Sequence, residues 1–183
     1  MNTVQPIRDI KKIQTMRTLL REKDEKYLIM FALGINSGLR VSDVLTLRVE
    51  DVRDKDHIVL KEQKTKKEKR FLINKPLKKE IAQYIEKRGL IEGDYLIPSR
   101  KGKNKPITRI QAYRVLNEVG KTIGLDEVGT HTMRKTFGYH HYKKMHDVAM
   151  LQDIFNHSSP SITLRYIGIN DDEKDKSMQD FYL

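Results

Sequence analysis

A histidine and a tyrosine near the C-terminus have the types and the spacing to act on one bond. They are His157 and Tyr166, nine positions apart (166 − 157 = 9). Ser159-Pro160 between them predicts a helix start, because serine can cap and proline needs no hydrogen-bond partner in the first turn. The helical period then predicts that Tyr166 and Ile169 share a face. Taken alone, the same pattern fits an amphipathic helix whose tyrosine belongs to the core.

A second candidate pair lies in the segment Gly129–Gly138. His131 and Arg134 are three positions apart, so on a helix they share a face about one turn apart. A histidine and an arginine that converge on one point suit an anion whose charge and protonation change during a reaction. The alternative interpretation is a partly buried histidine beside a surface arginine.

An arginine follows the end of a predicted buried helix. Residues Glu25–Ser37 are largely apolar, and Gly38 is placed to end that helix in the left-handed conformation. Arg40 lies two residues further on, and Ser42 with Asp43 predicts the cap and first turn of a short helix through residue 47. A guanidinium can clamp phosphate oxygens bidentately, or it can simply pair with an acid or close a helix end.

Two basic segments lie between these motifs. Residues 57–60 and 70–73 are β-type runs that predict a hairpin, whose tip carries six basic and two acidic residues from Lys61 to Arg70. It is either a solvated turn or an arm on a DNA backbone that delivers a proton. The second segment, residues 98–109, contains no acid. The DNA contacts predicted in the two segments are Lys66, Lys67, Lys69, Arg100, Lys101, Lys103, Lys105 and Arg109.

The remaining pattern predicts a mainly α fold with a small antiparallel β-sheet (α+β). Further helices are expected at 7–22, from Pro76 to Gly89, after Thr108 and after Asp147, whereas residues 95–97 predict a third strand or an extended segment. The tail ends in Met178, Phe181 and Tyr182, which fit the apolar face of one short helix.

Composition limits the class of protein. The chain has 183 residues, enough for one domain, and a net charge of +11 that attracts polyanions. Nucleic acid is the favoured partner over an anionic membrane, because the basic clusters lie in loops and a hairpin and not on an amphipathic helix. There is no cysteine, secretory signal, membrane span, nucleotide-binding glycine motif or metal-type histidine spacing. We therefore expect a cytoplasmic protein without a metal or cofactor.

Assembled in chain order, these motifs resemble the catalytic domain of the tyrosine recombinases, the class of phage integrases and Xer-type recombinases. The resemblance covers about residues 7–182. Its strongest segments are Ser37–Leu45, which holds the Gly-Leu-Arg turn, His131-Thr132-Met133-Arg134, and His157 through Tyr166.

The resemblance implies site-specific cleavage and rejoining of duplex DNA. Tyr166 would attack a phosphodiester to give a 3′-phosphotyrosine and a free 5′-hydroxyl, and covalent catalysis of this kind conserves the bond energy without ATP. Arg40 and Arg134 would stabilise the charge of the transition state, and His157 would add a hydrogen bond. His131 suits general acid–base work, because a free tyrosine has a pKa of about 10.

The resemblance also assigns Lys64 as the acid that protonates the leaving 5′-oxygen, although a shift of register would put Lys66 or Lys67 in its place. Relatives often have histidine where this chain has Lys135 and Leu-Gly where it has Phe155-Asn156. Family members usually carry an N-terminal core-binding domain. We expect residues 1–183 to form one catalytic domain without it, as a natural single-domain member or an excised fragment, with weak, salt-sensitive DNA binding. The expected partners are double-stranded DNA, further copies in a tetramer, and a core-binding or accessory protein.

Two alternatives to the recombinase function are a type IB topoisomerase-like relaxing enzyme and a DNA-binding regulator without catalysis.

Overall fold

The computed structural model describes residues 4–61, 68–179 and 181–182. The described chain is mainly helical with one antiparallel hairpin, which confirms the predicted fold class. Its helices are α1 (Ile10–Lys23), α2 (Glu25–Ser37), α3 (Val41–Thr46), α4 (Lys75–Arg88), α5 (Arg109–Thr122), α6 (Thr132–Met145), α7 (Val148–Phe155), α8 (Pro160–Tyr166) and α9 (Ile169–Gln179), with a 3-10 turn at Val49–Asp51. The strands are β1 (His57–Lys61) and β2 (Glu68–Leu72). No described helix is long and apolar enough to cross a membrane.

Helix α2 is the centre of the main hydrophobic core. The six consecutive residues Leu28–Leu33 are at most 1% exposed, and α2 packs against α1, α3, α4 and α6. A helix that is apolar on every face has to be covered on every side. The turn at the C-terminal end of α2 is therefore held by the best-packed part of the molecule, and that turn carries Arg40.

Gly38 ends α2 as predicted. Its φ of 70° and ψ of 14° lie in the left-handed region, and its N–H donates to the carbonyl oxygen of Gly34. A Cβ added to Gly38 would lie 2.5 Å from Cδ1 of Phe137 on α6. Both the backbone angle and the close approach of α6 therefore require glycine here.

Replacing Gly38 with alanine is expected to lower the free energy of unfolding by about 2–5 kcal/mol, since left-handed strain costs about 1–2 kcal/mol and overpacking about 1–3 more. Urea unfolding followed by circular dichroism measures the change. Gly89→Ala is the matched control, because Gly89 has a φ of 65° but nothing within 4 Å of an added Cβ. Equal losses in the two variants would contradict the predicted clash with Phe137.

The hairpin has the predicted position with slightly shifted ends. Its register runs from the His57–Leu72 pair to the Lys61–Glu68 pair. The tip, residues 62–67, lies outside the described residues, and with it lie the predicted sites Lys64, Lys66 and Lys67. Lys69 on β2 donates from Nζ to the backbone oxygen of Asp153 on α7, at 3.0 Å.

Several predicted element boundaries were wrong. Helix α1 begins at Ile10 and not at residue 7, because Asp9 supplies its cap by accepting from the N–H of Lys11. The cap position of α3 is Arg40 and not Ser42. Residues 95–97, predicted as a third strand or an extended segment, join no strand of the described sheet; Tyr95 makes one bridge with Arg48, and the chain bends at residues 96 and 97.

The C-terminal segment also differs from the prediction. Tyr166 and Ile169 do not share a helix, because α8 ends at Tyr166 and Gly168, with a φ of 81°, turns the chain into α9. Helix α9 ends at Gln179, so Phe181 and Tyr182 do not extend its face.

Candidate active site

Tyr166 is the last residue of the short helix α8. Ser159 caps that helix as predicted, accepting from the N–H of Ile162, and Pro160 occupies its first turn. The phenol ring is half-buried and packs edge-on against Phe155 and His157, with ring centroids 5.5 and 5.0 Å away. The tyrosine is therefore held in one orientation while part of its surface stays open.

His131 contacts the tyrosine hydroxyl. Its Nδ1 lies 3.2 Å from Oη of Tyr166, and the histidine occupies the N-cap position of α6. Partial desolvation of the ring is the main cause that lowers the pKa of His131, although the residue as a whole stays exposed, and the charges of Lys135 and Arg109 lower it further. The imidazole is therefore neutral near pH 7 and can accept the phenol proton.

Arg134, one turn further along α6, is buried, whereas His131 is exposed. The pair is thus the reverse of a partly buried histidine beside a surface arginine. The guanidinium donates to the backbone oxygens of Gly38 and Phe155 and lies 4.3 Å from the centroid of the Phe155 ring. Burial lowers its pKa to about 10, so the group stays charged at neutral pH. Arg134 therefore joins the turn that carries Arg40 to the end of α7.

His157 follows directly after the end of α7. Asn156, with a φ of 56°, turns the chain there, and Nδ1 of His157 lies 3.0 Å from Oγ1 of Thr163 on α8. Burial, Arg134 and Arg40, in that order, lower the pKa of His157. Thr163 is fully buried and was not among the predicted site residues; its position six residues after His157 carries no signal without the geometry of α8.

Two arginine charges act on the phenol. Burial raises the pKa of Tyr166, whereas Arg134 and Arg40 lower it, and burial prevails. The phenol is therefore protonated near neutral pH and needs a base before it can act as a nucleophile. Arg40 itself is exposed at the start of α3, where it can reach a bound anion.

The structure thus brings together Arg40, His131, Arg134, His157 and Tyr166. Lys101, Lys103, Lys105 and Arg109 are exposed, and Arg109 is near enough to lower the pKa of His131. Arg100 is 80% exposed but lies 3.4 Å from the buried carboxylate of Asp24. Within residues 4–61, 68–179 and 181–182, no group of three or more histidine, aspartate and glutamate side chains could hold a metal ion.

Stability is expected to fall as the pH is lowered from about 6.5, the usual pKa of histidine. Loss of solvent around the rings lowers the pKa of His131, His141 and His157, so over this window the unfolded chain binds more protons than the folded chain. Urea titrations at pH 7.5, 6.5, 5.5 and 5.0 measure this loss. The double variant His131→Gln/His157→Gln should show a shallower dependence, and an equally steep one would contradict the assignment.

Comparisons with known proteins agree with this fold. A sequence model of the phage integrase family matches residues 9–173. The chain is 52% identical over 172 residues to the probable integrase/recombinase YoeC of Bacillus subtilis, covering 94% of this chain and 93% of YoeC. It is 29% identical over 163 residues to the tyrosine recombinase XerA of Pyrococcus furiosus, covering 88% of this chain but only 55% of XerA.

Solved structures show the same fold. The crystal structure of XerA recombinase matches with a TM-score of 0.75 at 20% identity, covering 97% of this chain and 67% of that chain. The XerH site-specific recombinase bound to a palindromic difH substrate matches equally well, covering 98% of this chain and 54% of that one. The fold is that of a tyrosine recombinase catalytic domain. The chain belongs to the phage integrase family, which confirms the resemblance carried by its motifs.

Proposed function

We propose that this chain is a site-specific DNA recombinase that cleaves and rejoins duplex DNA through a 3′-phosphotyrosine on Tyr166. The observation that carries the proposal is the 3.2 Å approach of His131 Nδ1 to the Tyr166 hydroxyl beside a buried, charged arginine. A nucleophile, a base and a cation in one place serve transfer to an anionic centre better than they serve binding alone.

Cleavage exchanges one phosphorus–oxygen bond for another. Oη of Tyr166 forms a bond to phosphorus while His131 takes the phenol proton. The bond from phosphorus to the 5′-oxygen breaks, and Lys64 protonates that oxygen. Rejoining reverses each transfer: the 5′-hydroxyl attacks the phosphotyrosine, and His131 returns the proton to the phenol.

The two arginines and His157 act on the non-bridging oxygens. Arg134 is held by two backbone carbonyls, so its charge is fixed before DNA arrives, and such preorganised charges stabilise a transition state most strongly. Arg40 approaches from the turn after α2. Thr163 fixes the ring of His157 through Nδ1, which leaves Nε2 to face the phosphate.

We infer that the exposed cations of residues 98–109 contact the DNA backbone on either side of the cleaved bond, because they are exposed and the charge of Arg109 acts on His131. Each phosphate contact contributes about −0.9 to the slope of log K against log salt. Replacing Lys103 with alanine is therefore expected to weaken binding and to reduce that slope by about 0.9.

Fluorescence anisotropy with a duplex of about 30 base pairs, long enough to span the interface of a large DNA-binding domain, measures the slope at several salt concentrations. Lys79→Ala, at an exposed lysine of α4, tests the effect of net charge alone. Equal slopes for Lys103→Ala and the wild type would remove Lys103 from the interface.

For recombination we propose a tetramer on DNA, with an accessory or core-binding protein where one is required. The C-terminal residues Met178, Phe181 and Tyr182 are 68%, 67% and 96% exposed, and they would dock on a neighbouring copy. Among the structural relatives, lambda integrase is described as a dimer bound to a core site. Deletion of residues 178–183 should prevent assembly on DNA in analytical ultracentrifugation, and unchanged assembly would refute this role. A bacterial cytoplasm is the compartment we propose.

Covalent trapping tests the chemistry and selects the target sequence in the same experiment. A pool of nicked duplexes with a randomised core is incubated with the protein, denatured, and partitioned for protein-linked DNA, which is then sequenced. We expect adducts that share a sequence, with mass spectrometry placing the DNA on Tyr166. Binding without any adduct would support the regulator alternative, and relaxation of supercoiled plasmid without sequence preference would support the topoisomerase alternative.

A further inference from the structure

The segment formed by residues 4–8, before α1, crosses α6 on its way into the domain. The N–H of Ile7 donates to Oγ1 of Thr136 at 2.9 Å, and the carbonyl of Ile7 lies 2.9 Å from Nε2 of His140. The N–H of Gln5 donates to the backbone oxygen of Glu127 at 3.1 Å. Ile7 itself is 1% exposed and belongs to the main core. The segment is therefore fixed along most of its length.

One end of this segment reaches the tyrosine ring through Lys135. The ammonium of Lys135 donates to the backbone oxygen of Val4 at 2.7 Å and also lies 5.0 Å from the centroid of the Tyr166 ring. The lysine is half-buried between the two. The ammonium group of Lys135 cannot shift without losing its hydrogen bond to Val4. The position of Val4 therefore determines where this cation meets the Tyr166 ring.

The other end holds the turn that follows the tyrosine. Arg8 donates from Nε to Oδ1 of Asp172 at 2.8 Å and from Nη2 to the backbone oxygen of Gly168 at 3.3 Å. The second carboxylate oxygen of Asp172 accepts from the hydroxyl of Tyr139 at 2.8 Å. Arg8 is thus bonded to the turn at Gly168 and to Asp172 on α9, whereas Lys135 contacts the tyrosine ring itself.

The helix that ends in the tyrosine packs on α7 and α9, outside the main core. Helix α8 is seven residues long, and a helix of that length has little stability of its own. Its partners, Phe155 and Ile167, belong to a small second cluster that is separate from the main core. Residues 4–8 connect the two clusters, since Ile7 lies in the first and Arg8 bonds to the turn within the second.

We propose that residues 4–8 position the nucleophile, with Lys135 and Arg8 as the two positioning residues; this inference rests on the proposed role of Tyr166. The attacking oxygen must stay within reach of His131 Nδ1, and a displacement of about 1 Å can cost about a hundredfold in rate. The segment places no group on the reacting atoms. It sets where Tyr166 stands relative to α6, which carries His131 and Arg134.

Cleavage of a nicked duplex recovered from the trapping experiment, with the DNA in saturating excess so that each protein molecule forms one adduct, tests the proposal. Arg8→Gln and Lys135→Met are each expected to lower the rate constant about tenfold with the final amount of adduct unchanged. A purely structural role would do the opposite, because a smaller folded fraction lowers the amplitude and leaves the rate constant of the remaining molecules as it was.

Three further variants sharpen the test. Lys135→Arg keeps the charge and the donor to Val4, so it should recover most of the rate. The exchanged pair Arg8→Asp/Asp172→Arg should recover part of the loss seen in Arg8→Asp. Lys12→Met is the matched control, because Lys12 donates to a backbone oxygen at Gly124 that does not touch the tyrosine.

Rate constants within about twofold of wild type for both Arg8→Gln and Lys135→Met would overturn the positioning role while leaving the proposed chemistry intact. A smaller final amount of adduct with an unchanged rate constant would also overturn the positioning role. Failure of the proposed function is distinguishable, since it would show in the wild type as no adduct or as an adduct on another tyrosine.

Discussion

Replacing Tyr166 with phenylalanine is expected to abolish the covalent DNA adduct, lowering its rate of formation by at least about 10⁴-fold, as removal of a covalent nucleophile does in other enzymes. The substitution removes one oxygen. The ring keeps its packing against Phe155 and His157, while the hydrogen bond between the hydroxyl and Nδ1 of His131 disappears. DNA affinity and the free energy of unfolding should therefore stay close to the wild-type values.

The measurement is denaturing electrophoresis of the protein with a nicked duplex selected from the randomised pool. Tyr113→Phe is the matched control, because Tyr113 is 46% exposed on α5 and the variant should form the adduct at the wild-type rate. An adduct that persists in Tyr166→Phe would mean that another tyrosine is the nucleophile. A large loss of DNA affinity in Tyr166→Phe would mean that the hydroxyl serves binding.

Local signals in the sequence predicted much of the framework around this site. Gly38 ends α2, and Thr108, Asp147 and Ser159 cap α5, α7 and α8, because capping depends on the residue and its near neighbours. The order of the motifs also indicated which residues would meet, and five of the six predicted catalytic residues lie in the described structure as one group. The sixth, Lys64, stays a prediction.

What the sequence could not indicate depends on contacts to the backbone. Arg134 bonds to carbonyl oxygens 96 and 21 residues away, and every residue type carries a carbonyl, so no pattern marks the partners. Sequence alone therefore left open whether this arginine lay at the surface. The segment at residues 4–8 also depends on backbone carbonyls. Lys135 donates to the carbonyl of Val4, and Arg8 donates to the carbonyl of Gly168. The end of α8 was misjudged because continued periodicity favoured one longer helix through Gly168.

Arg134→Ala is expected to lose both stability and chemistry. The backbone oxygens of Gly38 and Phe155 would be left buried without this donor, at about 1–3 kcal/mol each, so the free energy of unfolding should fall by at least about 2 kcal/mol. Arg134→Lys keeps the positive charge, but an ammonium on a single stem lacks the planar fork that serves both carbonyls and a phosphate. We expect a smaller loss of stability and a rate of adduct formation about 10²–10³-fold below wild type.

Urea unfolding and single-turnover trapping measure the two effects separately, with Arg21→Lys on the exposed side of α1 as the matched control. A DNA substrate with an uncharged linkage at the cleaved position separates the electrostatic role of Arg134 from its structural role. A methylphosphonate at the cleaved position removes the anionic non-bridging oxygen that Arg134 would stabilise, so on this substrate Arg134→Lys should approach the wild-type rate. A deficit of the same size on both substrates would mean that Arg134 acts only by joining the Arg40 turn to the end of α7. The two carbonyl bonds would then be its whole contribution, and the charge next to Tyr166 would have to come from Arg40.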